Sequence, residues 1–143
     1  MELQRISDEL EIAALLNRYA RAVDTKDWEL YRSVFTDDAH IDYSAAVFRG
    51  SLDEAVEFFD GDFSALVTMS MHHITNVESD IEGDTARVRA MFYNPTQITG
   101  AEELSVFGGY YFHELVRTSA GWRSRHLREE MVWTANSPRD GQA

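Results

Sequence analysis

The sequence predicts an α+β fold, with three N-terminal helices packed on a curved, mainly antiparallel sheet to make a cone-shaped α+β barrel. Two observations carry this expectation. Apolar residues in the first half recur at helical spacing. Those in the second half alternate at period two between turn signals. Helices gathered ahead of strands are the α+β order, not the interleaved α/β one. At 143 residues the chain suits one domain, so residues 1–143 are expected to form a single unit with a frayed tail from about 136.

The first helix follows from Ser7 as N-cap, with Asp8 and Glu9 in the first turn, where the helix dipole favours anions. Ile12, Leu15, Leu16, Tyr19, Ala20 and Val23 then form one apolar stripe. Thr25 is placed to cap a second helix carrying Trp28, Tyr31 and Phe35, which Thr36-Asp37-Asp38 ends. Ala39 to Ser44 reads as a short strand, and Val47-Phe48 as another. Ser51-Leu52-Asp53-Glu54 is a capping box, predicting a third helix through Val56, Phe58 and Phe59. Four long strands follow: Met69 to Ile81, Thr85 to Thr96, Leu104 to Thr118 and Trp122 to Trp133. Glu82-Gly83-Asp84 and Ser119-Ala120-Gly121 turn the chain, and Gly108-Gly109 reads as a bend or bulge. Such a sheet, closed on one side by helices, leaves an apolar interior suited to a small molecule.

Composition narrows the functions. There is no cysteine, which excludes disulfides and thiolate chemistry. Net charge is −12, which repels nucleic-acid phosphates and anionic lipid. Lys26 is the sole lysine, and Arg117, Arg123, Arg125 and Arg128 read as a solvated sheet face. No apolar run approaches a membrane span, and the N-terminus is too polar for a signal peptide, so a cytoplasmic home is expected. Metal-ligand spacings, a phosphate loop and a nucleophile elbow are missing from the sequence, and no metal or cofactor is expected.

Acid–base chemistry remains. Asp24 ends the apolar stripe of the first helix, and a carboxylate there must be paired. His72 and His73 are adjacent, so a strand turns them to opposite faces. His73 shares parity with Met69, Met71, Thr75, Val77 and Ile81, the more apolar set, and is expected to face inward. An inward histidine and an inward aspartate form a candidate dyad; the alternative is an aspartate that caps the next turn and a histidine satisfied in the core. Tyr19 lies near the same helix face. Phe59, Met69, Phe92, Tyr110 and Trp133 are expected to line the cavity, with Asn76 and His113 at its rim.

Tyr19-Ala20-Arg21-Ala22-Val23-Asp24-Thr25-Lys26-Asp27-Trp28, Ile41-Asp42-Tyr43, Met71-His72-His73 and Gly121-Trp122 resemble the SnoaL-like branch of the nuclear transport factor 2-like superfamily, over roughly residues 6–133. The resemblance is to its cofactor-free lyases, among them scytalone dehydratase, bile-acid dehydratase and hexachlorocyclohexane dehydrochlorinase. It implies an Asp24–His73 dyad as general acid and base, with Tyr43 and Tyr19 as further catalytic residues. It also implies a homo-oligomer, trimer or dimer, associating through the outer sheet face. Pro95 is followed by Thr96 where scytalone dehydratase has a second histidine. Gly109 and Tyr111 replace its pocket serine and asparagine, so scytalone is not the expected substrate. The expected function is a dehydratase-type β-elimination on a small apolar ring or polyketide-like molecule. A cyclase or isomerase with the same base, or a non-catalytic binding or partner subunit, stay open as alternatives.

Overall fold

The computed structural model describes residues 2–43 and 48–138. Ser44, Val47 and the tail beyond Pro138, expected as strand ends and a frayed terminus, lie outside the described residues. The order is α1 (Leu3–Asp24), α2 (Trp28–Arg32), β1 (Phe35–Tyr43), β2 (Phe48–Ser51), α3 (Leu52–Phe58), a π-helical turn (Phe59–Phe63), α4 (Ser64–Leu66), β3 (Val67–Ser70), β4 (His73–Glu82), β5 (Thr85–Ile98), β6 (Ser105–Thr118) and β7 (Gly121–Ala135). The strands form one open sheet in the order β2-β1-β7-β6-β5-β3, with β4 also on β5. All described pairs are antiparallel except β1 with β7.

Helix α1 begins four residues before Ser7, which leaves Asp8 inside the helix and buried, where it serves another purpose. Thr25 does not cap α2. It closes α1, its hydroxyl donating to the Arg21 carbonyl at 2.7 Å, and Asp27 caps α2 by accepting from the Leu30 N–H at 3.0 Å. Lys26 bridges the two helices in the left-handed region, φ 55°. Thr36, Asp37 and Asp38 belong to β1, not to a helix end, because Phe35 already pairs with β7. The Ser51–Glu54 capping box forms in both directions.

The core packs Ile12, Leu16, Tyr19 and Val23 of α1 against Ala86, Val88, Ala90 and Phe92 of β5 and Tyr111, Leu115 and Leu127 of β6 and β7. On β5 the alternation expected from sequence holds along the whole inward face.

On β4 it does not. From Met69, the end of β3, the two residues after it and the start of β4 share one register along β5: Ser70 pairs with Thr96, the Met71 N–H donates to the Pro95 carbonyl, and His73 pairs with Tyr93. Here even-numbered residues face in. The register shifts between Thr75 and Glu78, where Asn76 adopts φ 53°. A bulge inserts one residue and so reverses the faces beyond it. Ile81 therefore faces in, packing on the core opposite Ala86, while odd-numbered Met69, Met71 and His73 face out. Reading one parity through the bulge is what misassigned His73.

A second shift, between Gly108 and Gly109, falls opposite β7 residues 131–133 and turns Trp133 outward. Its indole lies over Gly108, where a Cβ would come within 2.2 Å of Nε1.

Candidate active site

Asp24 is the last residue of α1 and reaches the gap between β3 and β4. The His72 backbone there is outside both strands, so its N–H is available, and it donates to Asp24 Oδ2 at 2.8 Å. Ser70 Oγ donates to Oδ1 at 2.8 Å. The His72 ring places Nδ1 2.6 Å from Oδ1. An ionised carboxylate only accepts, so Nδ1 carries the proton and Nε2 keeps its lone pair. Nε2 accepts from Asn94 Nδ2 at 3.2 Å, which agrees with that tautomer. Burial pushes the Asp24 carboxyl up, but the hydrogen bonds from the His72 ring, its N–H and Ser70 outweigh it and hold the group below its ordinary value.

The histidine paired with Asp24 is thus His72, not His73. The His73 ring is exposed on the outer face, its Nδ1 near the Met71 and Tyr93 carbonyls at 3.2 and 3.3 Å.

His72 borders a cavity of about 420 Å³ enclosed between α1, the α3–α4 segment and the sheet. Tyr19, Tyr43, Phe59 and Phe92 line it. Met69, Asn76, Tyr110 and Trp133 do not. Met69 and Trp133 are on the outer face for the register reasons given. Asn76 is exposed in the bulge itself. Tyr110 alternates with inward Tyr111, and its outward ring lies under the Arg89 guanidinium at 4.4 Å. His113 is buried and does not line this cavity, its Nδ1 2.9 Å from Ser124 Oγ.

The tyrosine hydroxyls form a chain. Tyr19 and Tyr43 are 2.6 Å apart, and Tyr43 and Tyr31 3.0 Å. Burial pushes all three phenols well up, so they stay protonated at neutral pH and can donate. Tyr19 also meets the His72 ring edge-on, centroids 6.4 Å apart.

Two polar residues of this cavity were missed in the sequence. Asn94 touches His72 because the register that pairs His73 with Tyr93 sets residue 94 opposite 72. Glu129, between Arg128 and Glu130, reads as part of a solvated charge run. Its place opposite Tyr111 and between inward Leu127 and Met131 turns it into the cavity. Only its alternation with those two apolar residues could have found it.

Residues 4–128 match the SnoaL-like domain family. The chain belongs to that family. The uncharacterized protein Rv2910c of Mycobacterium tuberculosis is 33% identical to it over 127 residues, covering 86% of this chain and 84% of the relative. In structure the chain resembles a scytalone dehydratase-like protein of Novosphingobium aromaticivorans, with TM-score 0.85, 18% identity and coverage of 93% and 89% of the two chains. It also resembles the hexachlorocyclohexane dehydrochlorinase LinA-type3 of Novosphingobium barchaimii, with TM-score 0.85, 15% identity and coverage of 94% and 93%. At these identities the two structures establish the shared fold. Lyase-type enzymes are therefore among this SnoaL-like chain's structural neighbours. No helix among the described residues is long and apolar enough to cross a membrane.

Proposed function

We propose that the protein is a cofactor-free lyase that carries out β-elimination on a small, largely apolar, oxygenated molecule, with the His72–Asp24 pair as general base and acid. The observation that carries this reading is a carboxylate-oriented imidazole that lines a mainly apolar cavity. The Asn94 N–H moves off Nε2 as substrate enters, and the freed lone pair takes a proton from the carbon next to a carbonyl. Asp24 fixes the tautomer and stabilises the imidazolium that forms. The Asn94 amide rotates, presenting Oδ1 to the new Nε2–H. The Nε2 proton then passes to the departing hydroxyl, which leaves as water, and the carbon–carbon double bond forms. Tyr19 and Tyr43, held protonated by burial, donate to the developing enolate oxygen.

The base is tested with 2-tetralone in deuterium oxide, following exchange of its α-hydrogens by NMR. Wild type should exceed the buffer rate, and His72→Ala should fall to it. Equal rates in the two proteins would remove the assigned base. With a β-hydroxy ketone, loss of one water identifies a dehydratase. A product of unchanged mass assigns the same base to a cyclase or isomerase.

We also propose self-association through the outer sheet face, where Met69, Met71, Tyr93 and Trp133 are exposed. Light scattering at micromolar concentration should find more than one chain per particle.

A further inference from the structure

We infer that Glu129 is the residue that selects the ligand: its neutral carboxyl donates a hydrogen bond to a carbonyl oxygen of the molecule in the cavity, and the site therefore prefers ketones over hydrocarbons and amines of the same shape. The inference rests on the proposed use of the cavity as the substrate site, and extends it to substrate class.

Two residues that line this cavity each keep a buried side-chain oxygen without a hydrogen-bond partner among the described residues, Glu129 Oε1 and Asn94 Oδ1. A buried polar atom without a protein partner is costly, and water or a ligand in the cavity can supply the missing contact. Phe92, Phe107, Tyr111 and Met131 supply apolar and aromatic wall, and Asp62, Thr96, Thr134 and Ser137 add polar groups to the lining. Among the described residues, no arginine or lysine lines this cavity to neutralise Glu129. Arg128, its neighbour in sequence, points to the other face, its guanidinium 4.3 Å above the Phe112 ring. Burial, with the charge of Asp42 nearby, pushes the Glu129 carboxyl up to about 7. Below that pH it is a donor as well as an acceptor. Its charge, when present, also bears on Tyr19 and Tyr111, which sets it beside the phenol whose hydroxyl joins the tyrosine chain. A ligand carbonyl at this wall and a ligand hydroxyl at Asn94 Oδ1, beside His72, would satisfy both orphaned oxygens. A β-hydroxy ketone carries both of those functions.

The test measures dissociation constants of three bicyclic probes by NMR titration: 2-tetralone, the hydrocarbon tetralin and 2-aminotetralin. At pH 6 wild type should bind the ketone roughly 10-fold more tightly than tetralin, the worth of one good hydrogen bond. That preference should decline as pH rises through about 7. Glu129→Gln, which keeps an N–H donor, should retain the preference at every pH. Glu129→Leu should abolish it while tetralin binding survives or improves. His72→Ala should leave it intact, so a failed elimination reading and a failed Glu129 reading give different results. A ketone preference that persists in Glu129→Leu would overturn the inference. So would tighter binding of the amine than the ketone at pH 6, which would mark an ionised carboxylate. If none of the probes binds wild type, both the cavity assignment and this inference fall.

Discussion

Helix α1 ends in two very different polar sites. Near its start, Asp8 is buried, and every acceptor it offers is used. Arg117 donates through Nη1 and Nη2 at 2.8 and 3.0 Å, Trp122 Nε1 at 3.1 Å and Gln4 at 3.0 Å. The Arg117 guanidinium also lies 4.5 Å above the Trp122 ring. Chiefly through Arg117, and against its own burial, Asp8 is lowered to about 2. At the other end lies the cavity, where Asp24 orients His72 and Glu129 keeps an unpartnered oxygen. Both ends bury carboxylates. One drives its carboxyl down by pairing it, and the other lets Glu129 rise to about 7 by leaving it alone. Full satisfaction marks the end that holds the fold together. Incomplete satisfaction marks the end arranged for something that is not protein.

The sharpest way to break this contrast is at the dyad. His72→Ala and Asp24→Asn should each slow catalysed α-hydrogen exchange of 2-tetralone by roughly 10²–10⁴-fold. The double variant should be little worse than either single one, since the two act as a unit. His73→Ala, one residue away but on the outer face, should leave the rate unchanged.

At the other end the consequences should appear in stability and not in chemistry. Asp8→Ala strands the Trp122 N–H and leaves Arg117 with only Asp84 and the Gly83 carbonyl. We expect a melting temperature lower by roughly 5–10 °C, within the range for loss of a buried polar network, and an exchange rate per folded molecule equal to wild type. A variant with wild-type stability would show that the Arg117–Asp8 contact is ornamental.

Acid should attack the same region. Burial and the nearby His126 charge hold His113 down to about 3, whereas an unfolded histidine takes a proton near 6.5. Between those values the unfolded chain binds more protons, so this contribution to stability is present above pH 6.5 and is lost as pH falls toward 3. Asp8 adds a second loss as pH falls from its unfolded value near 3.9 toward 2. Denaturant titrations across pH should show His113→Gln with a shallower decline between pH 6.5 and 3 than wild type.

The same two ends show how far the chain could be read without coordinates. Helical spacing found the core stripe of α1, the capping box found α3, and unbroken alternation found the inward face of β5. Residue chemistry found that Asp24 must have a partner, and the family resemblance pointed to a neighbouring histidine. What failed was parity carried through a bulge. A bulge depends on pairing with a distant strand, and nothing in Thr75-Asn76-Val77 announces that one residue is extra. One inserted residue moved the expected partner from His72 to His73, and another moved Trp133 into the expected cavity. Arg117 was read as a solvated cation because its partner lies 109 residues away in sequence. Glu129 was passed over for a related reason. A charge between charges looks solvated until the fold shows which face it occupies.

The smallest expected effect separates the two carboxylates most directly. Because Glu129 is raised from an ordinary glutamate value near 4.3 to about 7, the folded protein binds the extra proton in that interval. Its sign is opposite to that of Asp8. The associated stability is fully present below pH 4.3 and is lost as pH rises through 7. Glu129→Gln removes the cost of ionising a buried, unpaired carboxyl. It should therefore melt a few degrees above wild type at pH 8 and match it near pH 4. Asp8→Asn should do the reverse, with its deficit greatest at pH 8 and shrinking as pH falls toward 2. If Glu129→Gln is instead destabilised at pH 8, the carboxylate has a stabilising partner and belongs with Asp8. If it gains stability but loses the ketone preference as pH rises, glutamine is not reproducing the neutral carboxyl. Stability gained together with a ketone preference independent of pH would mean that the fold tolerates Glu129 at a cost, for the sake of what enters the cavity.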